Sequence, residues 1–142
     1  MGTKAAMGTK AGAVRPNPAS YKIIGAAMKV HSALGAGLLE SAYEKALCHQ
    51  LTKIGLQFRR QVPIPIELSD ATVATGFKAD FIIENCVVVE VKSVEKLLPV
   101  HRTQLLSYLK LTKLPLGLIL NFNVAHMREG IHRYINAPES EL

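Results

Sequence analysis

Apolar residues recur at helical spacing through the first third of the chain. Ile23, Ile24, Ala27, Val30, His31 and Leu34 fall on one face of a period of about 3.6 residues, which predicts a helix from about Pro18 to Leu34 capped by Asn17. Gly35-Ala36-Gly37 ends it. Leu39, Tyr43, Ala46, Leu47 and Leu51 then mark a second helix, about Leu38 to Ile54, closed by Gly55. From Gln57 onward strands dominate. Gln57 to Leu68 reads as a strand that Pro63 and Pro65 confine to a sheet edge, because neither can donate to a ladder. Thr72 to Ile83, with a break near Gly76, and residues 86 to 94 read as two more. Pro99 opens a helix to about Lys113, with Leu105, Leu106 and Leu109 facing inward. Leu116 to Phe122 is short and wholly apolar, as a buried parallel strand requires, and Ile131 to Ile135 adds an edge. This order predicts an α/β fold with a mixed sheet and helices on both faces. The strands before and after the third helix should be parallel.

Charges interrupt the pattern where it is most apolar. Two β-branched runs flank Glu84-Asn85-Cys86, which predicts a hairpin. Glu90 and Lys92 break the second run and, being two residues apart, share a face. Pairing across a three-residue loop places Asp80 opposite Glu90 and Lys78 opposite Lys92. Charges buried there need a partner or a metal. Spacing alone leaves two readings open. Asp80 and Glu90 are hard oxygen donors suited to Mg2+ or Mn2+, with Lys92 orienting a water; or Lys92 simply pairs with Asp80 or Glu90 at a strand end.

Other candidates are individually weaker. Glu40, in the first turn of the second helix, is a position that the helix dipole favours for any acid. Gln104 and Tyr108, four apart on one helix, could touch substrate or meet solvent. His31 lies among apolar residues, where a hydrogen-bonded core histidine is commoner than a ligand; it stands as a third substrate-proximal candidate.

Composition narrows the setting. With 142 residues, 49% of them hydrophobic and 20% charged, the chain predicts one globular domain, over residues 17–137. Residues 1–16 carry a duplicated Met-Gly-Thr-Lys-Ala segment and are expected to be disordered; residues 138–142 form a short tail. The net charge of +6, of which Lys4 and Lys10 in the tail supply two, admits nucleic acid without requiring it. Cys48 and Cys86 have no zinc or haem spacing and read as reduced thiols. There is no signal-peptide pattern and no bilayer-length apolar run, so a cytoplasmic protein with no membrane partner is expected.

At the start of the second helix, Gly37-Leu38-Leu39-Glu40-Ser41-Ala42-Tyr43 resembles the signature that names the GxxExxY protein family. His31 to Gly37, Ala79-Asp80, Glu90-Val91-Lys92, Gln104 to Leu109 and Gly117 to Phe122 follow in family-like order, over about residues 20 to 136. That family is similar to the PD-(D/E)XK nuclease superfamily, whose three-layer α/β/α, restriction-endonuclease-like core runs αβββαβ. The resemblance implies Asp80 and Glu90 as ligands of Mg2+ or Mn2+, with Glu40 completing the metal site and Lys92 as the water-orienting cation. Gln104 and Tyr108 are similar to a QxxxY element beside the active site in one branch of that superfamily. Ala79 departs from the pattern, which often has proline there. The activity implied is hydrolysis of phosphodiester bonds in DNA by a metal-activated water. The alternative is a nucleic-acid-binding or assembly module that keeps the fold without turnover. With little room for a dedicated DNA-reading domain, a homodimer or a partner protein is expected to supply grip.

Overall fold

The computed structural model describes residues 14–142. Helix α1, Pro16–Leu34, starts two residues before the expected Pro18, because Pro16 takes the first helical position and extended Arg15 caps it in place of Asn17. Helix α2 covers Glu40–Lys53 and ends before Gly55, whose φ of 82° suits glycine. Strand β1, Phe58–Pro63, is followed by the two-residue strands β2, Ile66–Glu67, and β3, Thr72–Val73, which pair only with each other. The long strands expected here are therefore split: Pro63 and Pro65 stop the first, and positive φ at Gly76 breaks the second. Strands β4, Lys78–Ile83, and β5, Val87–Lys92, form the hairpin; helix α3, Pro99–Thr112, then leads to β6, Leu116–Asn121, and β7, Ile131–Ile135. The His101 ring nitrogen accepts the Leu98 N–H at 3.0 Å and holds the start of α3.

The five-stranded sheet runs β1-β4-β5-β6-β7, with β5 and β6 parallel and every other pair antiparallel. β1 lies on one edge, as Pro63 at its end requires, and β7 on the other. Phe81, Ile83, Val87, Val89, Val91, Leu116, Leu118 and Leu120 pack under α1 and α2. Ile82, Val88 and Ile119 point the other way, toward Leu105, Tyr108 and Leu109 of α3. Glu90 and Lys92 share the side of Val88. The three-layer arrangement thus sets two charges of β5 on the α3 side.

The expected tail, residues 1–16, lies outside the described residues up to residue 13. Val14 packs against the core, and its carbonyl lies 3.7 Å from Cys86 Sγ. At the other end, Leu142 is buried and its carbonyl accepts the Asn17 N–H at 2.9 Å. Both cysteines are free thiols. Among the described residues no helix is long and apolar enough to cross a membrane.

Candidate active site

The β4–β5 hairpin turns at Glu84 and Asn85, both at a φ of 52°, and its register runs Ile83↔Val87, Ile82↔Val88 and Phe81↔Val89. One step farther, Asp80 faces Glu90, and there the backbone ladder stops. Each carboxylate instead takes an N–H from the opposite strand. The Asp80 N–H donates to Glu90 Oε2 at 2.8 Å, and the Val91 N–H donates to Asp80 Oδ2 at 2.8 Å. Two side chains replace two rungs of the sheet, so the backbone of each strand anchors the acid of the other.

Burial makes that arrangement electrostatically unfavourable. Glu90 is 4% exposed, and desolvation, then the Asp80 charge, push its carboxyl up to about 8. Desolvation also raises Asp80, opposed by the Val91 N–H and the Lys92 charge and reinforced by Glu44. Lys92, half-buried at the end of β5, lowers both acids from a distance. Among the described residues Arg60–Glu44, at 3.2 Å, is the sole ion pair, so Lys92 is paired with neither Asp80 nor Glu90. The acids lack a contacting counter-charge.

The residues after Lys92 are fixed from two sides. Asn121, across from Lys92 in the parallel register, accepts the Val94 N–H at 3.1 Å and donates to the Val94 carbonyl at 3.0 Å. The Ser93 N–H donates to Glu40 Oε2 at 3.3 Å, and the Ser93 hydroxyl donates to the Leu38 carbonyl at 2.6 Å. The loop entering α2 is held in turn by Tyr43. Its hydroxyl donates to the Gly35 carbonyl at 2.5 Å and accepts the Leu38 N–H at 3.1 Å, while its ring stacks on Phe122 at 4.6 Å. Gly35 and Gly37 take the positive φ values, 69° and 102°, that this loop needs. Tyr43→Phe keeps the stack but removes the partner of the part-buried Leu38 N–H and of the Gly35 carbonyl. It should lower stability by about 1–3 kcal/mol in chemical denaturation.

The candidates therefore separate. Asp80, Glu90 and Lys92 converge as the hairpin register requires. Tyr108 of α3 is buried beside them, its hydroxyl pushed up to about 12 by burial and by the Glu90 and Asp80 charges. Glu40 engages the Ser93 backbone. Gln104 is half-buried on α3 with no hydrogen bond to the carboxylates. His31 Nε2 lies 2.7 Å from the Val124 carbonyl, which ties α1 to the loop after β6 instead of to the acids.

Two residues join the site unannounced. Glu44, buried one turn after Glu40, is the helix acid whose charge reaches both Asp80 and Glu90. Gln61 interrupts β1: Arg60 pairs with Phe81 and Val62 with Ala79, while Gln61, between them, turns out at a φ of 49°. Its amide donates to Glu44 Oε1 at 3.0 Å and to Asp80 Oδ1 at 3.3 Å. A non-glycine residue there stores about 1–3 kcal/mol of strain. The spacing of Glu40 and Glu44 on one helix face could have flagged Glu44. Nothing in the local sequence marks Gln61.

Residues 17–134 match the family model for the PD-(D/E)XK nuclease superfamily. The chain belongs to that superfamily. Neither the curated proteins nor the solved structures contain a match to it. The five-stranded mixed sheet with helices on both faces agrees with the restriction-endonuclease-like fold of PD-(D/E)XK proteins, and membership points to nuclease function and nucleic-acid binding. PD-(D/E)XK nucleases generally use divalent metals, and the donor set here suits one. Among the described residues no three acids, histidines or cysteines form a ready-made cluster, so Asp80 and Glu90 offer a pair. Mg2+, which retains several waters, is commonly held by one or two carboxylates. A divalent cation would also supply the counter-charge that half-buried Asp80 and buried Glu90 lack.

Proposed function

We propose that this chain is a nuclease of the GxxExxY type that hydrolyses phosphodiester bonds of DNA, with Asp80 and Glu90 holding Mg2+ or Mn2+. The observation that carries the reading is the clamp between half-buried Asp80 and buried Glu90, with Lys92 beside it and outside any ion pair. When bound, the cation supplies positive charge that acidifies a water molecule and offsets charge developing on the phosphate. The Lys92 ammonium, with no carboxylate occupying it, is available to orient the attacking water and to stabilise the phosphate oxygens. Asn121 and Glu40 hold the chain segment that follows Lys92 and so fix where that ammonium stands. Glu44 is the helix acid of the site in this arrangement. Gln61 ties it to Asp80 and keeps both carboxylates aimed inward.

Linear, nicked and single-stranded DNA, incubated with Mg2+ or Mn2+ and compared with chelator, test the activity directly. Metal-dependent cleavage by the wild type is expected. The reading fails if none of the three is cut, or if Glu90→Gln and Lys92→Ala cut as fast as wild type.

Gln61 gives a separate check on the positioning role. Gln61→Gly removes the strained side chain and the bridging amide together. Stability should change by less than about 1 kcal/mol, because strain relief and lost hydrogen bonds offset each other. Initial cleavage rates should nevertheless fall roughly tenfold as the two acids lose their tie.

A further inference from the structure

We propose that Phe77 is a base-stacking platform beside the carboxylate site, and that the substrate it receives is an unpaired DNA strand or a frayed end. The proposal rests on the nuclease reading and names the form of substrate that the site takes.

Phe77 precedes β4 and is 53% exposed. A lone exposed apolar side chain is ordinary; this one is held rigidly. Its carbonyl accepts the N–H of Ile64, a residue that is itself buried, at 2.9 Å, and its N–H donates to Thr75 Oγ1 at 3.1 Å. The same Thr75 hydroxyl donates to the Ile64 carbonyl at 2.5 Å. Two hydrogen bonds thus fix the Phe77 backbone, a third ties Thr75 to Ile64, and about half of Phe77 stays open to solvent.

The ring is also placed next to the chemistry. Its centroid lies 6.4 Å from that of Tyr108, and Tyr108 lies within electrostatic reach of Glu90 and Asp80. Along β4, Phe77 is three residues before Asp80, roughly 10 Å at strand spacing. Between them Lys78 is exposed, and the β4–β5 register carries Lys92 to the same end of the hairpin, across from Lys78. An aromatic face with ammonium groups between it and the proposed phosphodiester site combines the two elements that hold single strands: stacking for a base and positive charge for the backbone. A base inside a duplex is already stacked on its neighbours and offers its face only when unpaired.

The chain has no tryptophan, so Phe77→Trp introduces a single fluorescent reporter at the proposed contact. Full-length protein in chelator is titrated with a short oligothymidylate and, separately, with a blunt duplex. Saturable quenching by the oligothymidylate but not by the duplex is expected. Phe77→Leu and Phe77→Ala should bind the oligothymidylate roughly tenfold more weakly in fluorescence anisotropy, since loss of one stacked base has about that effect. Wild-type affinity in Phe77→Leu would overturn the proposal, because leucine keeps the apolar contact and loses the π-face. Equal quenching by duplex would overturn it too. A change in emission that follows protein concentration with no DNA present would assign the face to a second copy of the chain instead. If the wild type binds and cuts DNA while Phe77→Leu is unaffected, stacking alone is refuted; if the wild type binds neither DNA, the nuclease reading falls with it.

Discussion

Glu90→Gln should reduce DNA cleavage at least about a thousandfold while making the metal-free protein more stable near pH 8. The two effects have opposite signs for one reason. Glu90 is buried with its charge uncompensated, and its carboxyl is held up at about 8. Glutamine preserves the acceptor for the Asp80 N–H, so the clamp between β4 and β5 survives. It removes the charge that burial and Asp80 oppose. It also removes half of the donor set proposed for the divalent cation, and with it the charge stabilisation that the proposed reaction needs. Lys92→Ala should lose activity on the order of a hundredfold or more without the gain in stability, because Lys92 stabilises charge at the site but carries no ion pair in the fold. Paired measurements of initial cleavage rate and denaturant midpoint check both. A Glu90→Gln protein that cuts normally, or that is less stable than wild type near pH 8, would contradict this account.

Stability of the metal-free protein should fall as pH rises from about 4.5 to about 8, the reverse of ordinary acid denaturation. In the unfolded chain Glu90 ionises near its usual 4.5, whereas in the folded protein it keeps its proton until about 8. Between those values the folded state binds the proton that the unfolded state has released. The contribution is therefore complete below 4.5 and is lost as pH climbs through the folded value. Asp80, raised in the same direction, adds to the slope at its lower end. The total is on the order of a few kcal/mol. Under the proposed metal-binding role of the pair, added Mg2+ or Mn2+ should raise Tm more at pH 8 than at pH 5 and flatten the profile. Denaturant midpoints across this range, in chelator and in excess divalent cation, test the sign. A metal-free profile that rises with pH would show that the acids are better compensated than the geometry indicates.

Much of this arrangement was legible in the chain. The hairpin register followed from a side-chain period of two and a loop of three residues, which together leave Asp80 only one partner, Glu90. The edge position of β1 followed from Pro63 and Pro65, and the parallel β5–β6 pair from an intervening helix and an apolar run. Boundaries were less secure. Pro16 lengthened α1, and Pro65 and Gly76 cut the long strands, because a proline ring or a positive φ acts locally against a pattern that averages over many residues.

Sequence by itself determined that two acids and a lysine share one face of a buried hairpin, since register and alternation are short-range consequences of the chain. Only the tertiary structure decided what surrounds them. Whether Glu40 or Glu44 turns toward the acids depends on how α2 docks, and one helical turn separates an acid that holds Ser93 from one that Gln61 ties to Asp80. Gln61 takes a backbone conformation that its own side chain disfavours, held by partners on α2 and β4 that are distant along the chain. Phe77 and Tyr108, thirty-one positions apart in the numbering, meet only because α3 packs across the sheet. Such contacts are legible only after packing, because their free energy comes from residues that the local sequence does not contain.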